Sequence, residues 1–356
     1  MVEIKQPWIE TPLVRSANLS KAAGCNVFLK LENTQPSGSF KSRGISYYML
    51  SKLAALREQH NDGAVTAHFY SSSGANAGLA CIFAANMFGC RTTIVTPLST
   101  SAFLVAKLKQ AGAAQVIQHG NKWQEAEDYL RDTVMATTAA ADEIPIYVPP
   151  FDAAELWQGN SRIMHEIVGQ MSESIRHYPV NTVLPPETSG YHAPAIDAVL
   201  CSVGGGSLFC GLMQAIDELQ LRDVTQVIAV EAEGVDSLAR SVAKRERITL
   251  SRIGSLATSL GARRVAQRAF EYGLEKHVKT VVLSDAEAIR ACRRFADEEH
   301  YLVELACAVC PAVCYTGKLP ALIPGFNENT VVVIVVCGGS NISFEMLEKF
   351  LATLDD

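Results

Sequence analysis

The sequence predicts an α/β protein built from two open, parallel-sheet domains. Strand-like and helix-like segments alternate from about residue 46 onward, which implies parallel strands with helices on both faces. The run from Val331 to Val336 is continuously apolar, as in a strand buried on both faces. Of the 356 residues, 48% are hydrophobic and 19% are charged, which fits a compact globule rather than a disordered chain.

Composition also excludes several classes of protein. The net charge of −6 gives no indication of binding to nucleic acid or to an anionic membrane surface. No apolar run reaches the roughly 18 residues of a membrane span, and residues 1–8 lack the core of a signal peptide. The 10 cysteines are scattered, mostly in apolar runs, and predict buried, reduced thiols in a cytoplasmic compartment. Cys307 and Cys310 have the spacing of a redox or metal pair, but no second pair or histidine cluster accompanies them.

The first half of the chain predicts a regular alternation of elements. Strands are expected at 27–31, 65–70, 92–96, 114–118 and 146–148. Helices are expected at 19–23, 45–56, 75–88, 101–110 and 122–137. We assign residues 46–149 to a small domain that carries a substrate loop. Residues 1–45 and 150–356 then form a large domain.

The second half continues the pattern. Strands are expected at 198–202, 226–230, 280–283 and 331–336, and helices at 153–171, 208–219, 284–298 and 343–351. The segment 176–194 is rich in Pro, Ser and Thr and predicts a long surface connection. Ser284 and Glu287 have the spacing of a capping box. The charge run 244–247 predicts a solvated helix end.

A lysine stands at the junction of the first strand and the next helix, in Ser37–Gly44. Ser37 and Ser39 can cap the helix, Gly38 allows a tight turn, and Lys41 falls just inside the helix start. A helix N-terminus is electropositive and disfavours the cationic form, which lowers the pKa of a lysine there. A lysine with a lowered pKa suits Schiff-base chemistry, although most lysines in such positions are solvated surface residues.

Two further loops of small residues each follow a strand and open a helix. Residues 71–78 read Ser-Ser-Ser-Gly-Ala-Asn-Ala-Gly, and residues 203–207 read Val-Gly-Gly-Gly-Ser. Both are suited to bind anions through backbone amides. The second loop does not fit a dinucleotide motif, because Phe209 stands where the third glycine belongs. It does not fit a phosphate loop of nucleotide hydrolases either, because Leu212 replaces the lysine.

Together with Val336–Asn341, these motifs resemble the fold-type-II pyridoxal-phosphate (PLP) enzymes, whose fold is like that of the tryptophan synthase β subunit. The resemblance is greatest to the catabolic L-serine/L-threonine dehydratases of the eukaryotic liver and fungal type, and it covers about residues 11–350. It implies two α/β domains with the cofactor between them. The order and separation of four motifs make the resemblance specific, whereas one motif alone would be weak.

The resemblance implies a role for each motif residue. Lys41 is the catalytic lysine that forms the Schiff base, and Phe40 stacks on the cofactor ring. The remaining implied cofactor contacts are Asn76, Gly204, Gly205, Gly206, Ser207, Leu208 and Cys337. Cys337 approaches the pyridine nitrogen. Because a thiol with a pKa near 8.5 cannot keep that nitrogen protonated, Cys337 favours elimination over racemisation.

The resemblance also implies a substrate site and a cation site. The substrate contacts are Ser39, Ser72, Ser73, Gly74, Ala75 and Asn76. The ligands of a monovalent cation, K+, are Gly204, Glu231, Val235, Ser237 and Leu260, and their oxygen atoms suit a hard cation. Two departures from the family pattern stand out, namely Ser207 in place of a fourth glycine and the order Gly74-Ala75 before Asn76.

The implied reaction is β-elimination from the substrate's aldimine. L-serine, and L-threonine, would yield pyruvate, or 2-oxobutanoate, and ammonia. Serine racemase and other β-replacement or elimination enzymes of the same fold remain alternatives, because Ser73 could act as a second acid or base. A non-catalytic protein that binds PLP or an amino acid is a third possibility. A homodimer is implied, with no nucleic-acid or membrane partner.

Overall fold

The computed structural model of the chain describes residues 6–59, 66–138, 140, 143–177 and 196–354. The chain divides into two compact units. Unit 1 comprises the residues up to Ile9 together with Gln35–Asn160, and unit 2 comprises Glu10–Thr34 together with the residues from Ser161 onward. The division predicted from the sequence, with a small domain at 46–149 and a large domain at 1–45 and 150–356, stays a prediction. Most of the connection expected at 176–194 lies outside the described residues, and so do residues 1–5.

Strands and helices alternate along most of the described chain. The strands are β1 Leu13–Ser16, β2 Asn26–Lys30, β3 Thr66–Ser71, β4 Arg91–Thr96, β5 Gln115–Gln118, β6 Glu143–Tyr147, β7 Ala198–Ser202, β8 Gln226–Ala232, β9 Val278–Leu283 and β10 Val331–Val335. The helices are α1 Ala17–Ala23, α2 Lys41–Gln59, α3 Asn76–Phe88, α4 Ala102–Gln110, α5 Trp123–Tyr129, α6 Met135–Thr138, α7 Ala154–His177, α8 Ser207–Glu218, α9 Ser237–Lys244, α10 Gln267–Gly273, α11 Asp285–Glu299, α12 Leu305–Tyr315, α13 Leu319–Leu322 and α14 Phe344–Ala352.

Unit 1 contains a parallel sheet of four strands in the order β5-β4-β3-β6. Its core packs β3 against α2 and α3 through buried apolar side chains, which include Ile45, Met49, Phe69, Ala80 and Ala84. Burying these side chains provides the main driving force for the fold of the unit, at about 25 cal/mol for each Å² of apolar surface removed from water.

Unit 2 contains a sheet of six strands in the order β1-β2-β10-β7-β8-β9. β1 pairs with β2 antiparallel, and all other neighbours are parallel. Every residue of β2, β7 and β10 is buried, as the apolar run of β10 predicted for a strand covered on both faces. The two parallel-sheet α/β assemblies confirm the predicted fold class.

Most predicted elements are confirmed to within a few residues, and the differences have local causes. The sequence analysis missed β1, a four-residue strand at the sheet edge whose middle residues are half-exposed and which therefore lacks a clear apolar pattern. The helix expected at 122–137 is interrupted by a π-helical turn, Leu130–Val134. The capping box at Ser284 and Glu287 is confirmed. The charged segment beginning at Lys244 is confirmed as the end of α9, where Arg245 adopts a left-handed conformation with φ of 54°.

In the part of the chain that the structure describes, no helix is both long enough and apolar enough to cross a lipid bilayer.

Candidate active site

Lys41 is the first residue of α2, as predicted for a lysine just inside the helix start. Its Nζ donates a hydrogen bond of 2.5 Å to the carbonyl oxygen of Pro150 and lies 5.2 Å from the centre of the Phe40 ring. Gly38 has φ of +79°, so a glycine is needed in the turn before the helix. Ser37 bonds to Ser42 through the two hydroxyl groups, at 2.7 Å.

The expected side-chain cap by Ser39 is not formed. Its backbone carbonyl accepts a hydrogen bond from the amide of Ser42, at 3.1 Å. Its hydroxyl is buried and finds no hydrogen-bond partner in the described part of the chain. Because a buried hydroxyl normally finds a partner, this group is available to a bound molecule.

The Ser/Asn loop, residues 71–76, lies at the same edge of the unit 1 sheet as Pro150. The backbone amide of Val148 donates to the carbonyl of Tyr70 at 2.7 Å, and the hydroxyl of Ser71 donates to the carbonyl of Val148 at 3.2 Å. Pro150 follows Val148 by two residues, and Pro150 accepts the hydrogen bond of Lys41. The carboxyl ends of β3 and β6 therefore hold the loop and the lysine at one sheet edge.

The order Gly74-Ala75 is compatible with the loop. Position 74 needs a glycine because a β-carbon there would collide with neighbouring side chains, not because its φ is positive. Ala75 has φ of −128°, so this position does not need the positive φ that favours glycine. A β-carbon at position 74 would lie 2.3 Å from Oγ1 of Thr96 and 2.9 Å from the side chain of Thr100. A β-carbon at Gly78 would lie 2.1 Å from the carbonyl oxygen of Ser73. The loop is therefore closely packed on both sides.

The glycine loop of unit 2 runs from β7 into α8. A β-carbon at Gly204 would lie 2.9 Å from the backbone of Leu260, and one at Gly206 would lie 2.5 Å from the β-carbon of Ala269. Gly206 also has φ of +98°, which L-residues rarely adopt. The loop thus places backbone without side chains directly before the N-terminus of α8, where the helix dipole and the first backbone amides attract anions.

Three neighbouring strands of unit 2 end beside one another. The glycine loop follows β7, Glu231 lies near the end of β8, and Cys337 follows the last residue of β10 by two positions. The parallel register pairs Ile334 with Leu200, and Ser202 with Val230, so these ends lie at one edge of the sheet. Ligands of open α/β sheets bind at this edge.

The Cys337 thiol is buried and lies 3.4 Å from the hydroxyl of Ser202, the last residue of β7. Sequence reasoning missed Ser202. A polar residue that ends an otherwise apolar buried strand was the available signal.

Glu231 is fully buried and binds the start of α9. Its two carboxylate oxygens accept hydrogen bonds from the amides of Leu238, at 2.9 Å, and Ala239, at 2.7 Å. Burial raises the pKa of this carboxyl to about 8, although the two amide hydrogen bonds act in the opposite direction. The hydroxyl of Ser237, the first residue of α9, is buried and has no hydrogen-bond partner among the described residues. The predicted K+ ligands stay a prediction.

The ten cysteines all lie within the described ranges and are free, which confirms the expectation of unpaired thiols. Nine are buried and Cys90 is half-buried. Cys307 and Cys310 both lie inside α12. Within the described residues, no group of three or more His, Cys, Asp or Glu side chains could hold a metal ion.

The predicted site residues form two groups, one in each unit. Unit 1 holds Lys41, its neighbours Ser39 and Phe40, and the Ser/Asn loop. Unit 2 holds the glycine loop, Cys337 and the residues around Glu231. The sequence analysis did not foresee the carbonyl of Pro150 as a partner of Lys41. A turn signal, Pro149-Pro150, was available there.

The sequence profile of the family described as "Pyridoxal-phosphate dependent enzyme" matches residues 4–338. An L-serine dehydratase of Saccharomyces cerevisiae is 35% identical over 348 residues, which are 97% of this chain and 97% of that protein. The L-serine dehydratase/L-threonine deaminase of Bos taurus is 36% identical over 342 residues, with 95% of this chain and 93% of that protein covered.

A solved structure agrees with the sequence comparison. The fungal L-serine ammonia-lyase of Rhizomucor miehei superposes with a TM-score of 0.82 at 30% identity, over 98% of this chain and 99% of that one. Maize serine racemase has the same fold, with a TM-score of 0.77 at 21% identity over 98% of this chain and 93% of that one. The chain belongs to the family of pyridoxal-phosphate dependent enzymes.

Proposed function

We propose that the protein deaminates L-serine, and also L-threonine, with PLP as its cofactor. L-serine would lose ammonia and yield pyruvate, and L-threonine would yield 2-oxobutanoate. The observation that carries the proposal is the position of Lys41 at the same sheet edge as the Ser/Asn loop, in a chain whose relatives of similar length are named serine dehydratases.

The residues present fit the cofactor. The glycine loop offers backbone amides at the start of α8, in a position where β-carbons would collide with Leu260 and Ala269. We assign the cofactor phosphate to the amides of Gly204, Gly205, Gly206, Ser207 and Leu208. Ser207 is buried at the first turn of α8, so replacing the family's fourth glycine leaves its amide in the loop.

Other residues would hold the ring. Phe40 would pack on its face, Asn76 would donate to its 3-oxygen, and Cys337 would lie beside its nitrogen. A thiol is a weak acid, so the nitrogen would stay largely unprotonated. An unprotonated ring nitrogen would delocalise less negative charge from Cα. It would therefore favour elimination of the β-hydroxyl over reactions that need a long-lived carbanion at Cα, such as racemisation.

Lys41 would perform both covalent attachment and proton transfer. When bound, PLP withdraws electrons from the substrate Cα and makes its proton acidic. Lys41 would hold the cofactor covalently in the absence of substrate, and its amine would take the Cα proton of the bound substrate as a general base. The carbonyl of Pro150 accepts a hydrogen bond from Nζ and would orient the amine.

The Ser/Asn loop would bind the substrate carboxylate. The backbone amides of residues 72–76 and the hydroxyl of Ser73 are the proposed donors, and the unpaired hydroxyl of Ser39 is a further one. A bound carboxylate would fix the orientation of the Cα–H bond. Fixing the orientation lowers the entropic part of the activation barrier for proton transfer.

We also propose a K+ ion held by Glu231, Ser237 and the backbone oxygens of Gly204, Val235 and Leu260. The unpaired hydroxyl of Ser237 supports this assignment. A homodimer, the commonest symmetry of soluble oligomers, and a cytoplasmic location are part of the proposal. The ten free thiols support a reducing compartment.

The test is pyruvate formation from L-serine by the purified protein, with the absorption spectrum of the cofactor recorded. Lys41→Ala should abolish both turnover and the Schiff-base absorbance. Lys52→Ala is the matched control, because Lys52 lies on the same helix and pairs with Glu155 at the surface. It should retain both signals.

Three outcomes would contradict the proposal in different ways. Formation of D-serine without pyruvate would indicate a racemase. A spectral change with serine but no product would indicate a binding protein. Pyruvate formation by the Lys41→Ala variant at the wild-type rate would remove Lys41 from the chemistry.

A further inference from the structure

Glu304 is a buried charged residue in the apolar segment that becomes α12. It is the N-cap residue of that helix, but its side chain makes no capping hydrogen bond to its own helix. It is 4% exposed. One carboxylate oxygen, Oε2, instead accepts a hydrogen bond of 3.0 Å from the backbone amide of Asn341. The carboxylate is therefore hydrogen-bonded to a residue 37 positions further along the chain.

That segment is the turn Cys337–Asn341, which follows β10. Its two glycines, Gly338 and Gly339, have φ of +79° and +120°. A β-carbon at Gly339 would lie 2.1 Å from Cδ of Glu304 and 2.4 and 2.5 Å from its two oxygens. The carboxylate thus lies against bare backbone, and the space it occupies exists only because residue 339 is a glycine.

The turn is held at both ends. At its start, the thiol of Cys337 lies 3.4 Å from the hydroxyl of Ser202 on β7. At its end, the backbone amide of Asn341 donates to the carboxylate of Glu304, and the side-chain amide of Asn341 donates to the hydroxyl of Thr258, at 2.9 Å. Two glycines in left-handed conformations would otherwise give this turn many accessible conformations.

We propose that Glu304 is a positioning residue that fixes the turn Cys337–Asn341 and thereby the direction of the Cys337 thiol. The inference rests on the proposed function, in which that thiol lies beside the cofactor nitrogen. A hydrogen bond from the half-buried Asn341 amide to a carboxylate suits this role, because charge-assisted bonds are shorter and stronger than neutral ones. Glu304 acts through Cys337 and takes no proton from the substrate.

The first test measures the reactivity of the Cys337 thiol in the full-length protein as purified. Modification by a thiol reagent is followed in time, and the Cys337 signal is identified by its loss in a Cys337→Ser background. Glu304→Ala should speed modification of Cys337 at least tenfold and shift the absorption maximum of the bound cofactor. Glu304→Gln, which keeps the shape without the charge, should give a smaller change.

Glu287→Ala is the matched control. Glu287, like Glu304, is a glutamate of unit 2 located at the start of a helix. Its side chain forms the capping box of α11. Its removal should lower stability without changing the Cys337 modification rate or the cofactor spectrum. An equal effect of both variants on Cys337 would overturn the inference, because it would reduce Glu304 to a general contribution to stability.

A second test uses the close approach itself. Gly339→Ala should accelerate Cys337 modification, because the added methyl group displaces the carboxylate. In the Glu304→Ala background the same substitution should have a smaller effect, because the colliding atoms are gone and only the strain of an alanine at φ of +120° remains. Additive effects of the two substitutions would contradict a direct contact. Neither test needs turnover, so failure here is separable from failure of the serine-deamination assay.

Discussion

At the scale of single residues, the buried carboxyl of Glu231 makes the free energy of unfolding depend on pH. Its pKa is raised to about 8 because burial disfavours the charged form. In the unfolded chain the same carboxyl ionises near pH 4.5. The folded protein therefore holds one more proton than the unfolded chain between these values, and the stabilisation is lost as the pH rises through the window.

We expect the free energy of unfolding, measured with urea in a buffer free of K+, to fall between about pH 5 and pH 8. The slope for one proton is up to about 1.4 kcal/mol per pH unit. Glu231→Gln should flatten this slope, whereas Glu345→Gln, at an exposed surface position, should leave it unchanged. Adding K+ should restore stability near pH 8 in the wild type alone. An unaltered slope in Glu231→Gln would assign the pH dependence to other groups.

Two features of the structure require a glycine at position 206, namely its positive φ and its close approach to Ala269. Gly206→Ala should cost about 1–3 kcal/mol of stability through its backbone conformation and should weaken cofactor binding at least tenfold by displacing the loop. Gly24→Ala, also at positive φ but with no atom within 4 Å of its β-carbon, should cost stability alone. Urea unfolding and absorbance titration with PLP distinguish the two effects. Equal cofactor affinity in both variants would argue against the glycine loop as the phosphate site.

At the scale of elements, both sheets bring candidate residues together at the carboxyl ends of their strands. The strand-loop-helix units could be predicted from sequence because apolar runs, small-residue loops and helix starts are local signals. The contacts between these units could not. Lys41 meets Pro150 across 109 residues, and Glu304 meets Asn341 across 37, so both pairs depend on the completed fold. The short edge strand β1 lacks a pattern that distinguishes it from a loop.

Gly74→Ala tests the packing of the Ser/Asn loop. The new methyl group would collide with Thr96 and Thr100, so the loop should shift and the KM for serine should rise at least tenfold. Thr100→Ala in the same chain should recover part of the loss by making room, and Thr100→Ala alone serves as the control. If no recovery occurs, the defect lies elsewhere than in this contact.

At the scale of the whole molecule, the reactivity of the cysteine thiols distinguishes the folded protein from the unfolded chain. Nine cysteines are buried, and burial raises the pKa of several of them, including Cys81 and Cys201, which keeps them as unreactive thiols. A thiol reagent should therefore modify the half-buried Cys90 first in the native protein, and all ten only after denaturation. Cys90→Ser should remove the fast phase. Rapid modification of several thiols in the native state would contradict the buried arrangement.

The position of β10 has a consequence for how the protein is made. This strand, the last among the described residues, lies between β2 and β7 and provides the pairing that joins β1 and β2 to β7, β8 and β9. During synthesis on the ribosome the six-stranded sheet cannot close until residues 331–335 have emerged. Until then, apolar strand edges stay open to wrong partners. Nascent chains stalled before residue 331 should therefore depend on chaperones, and release of the last strand should trigger the closure of the sheet.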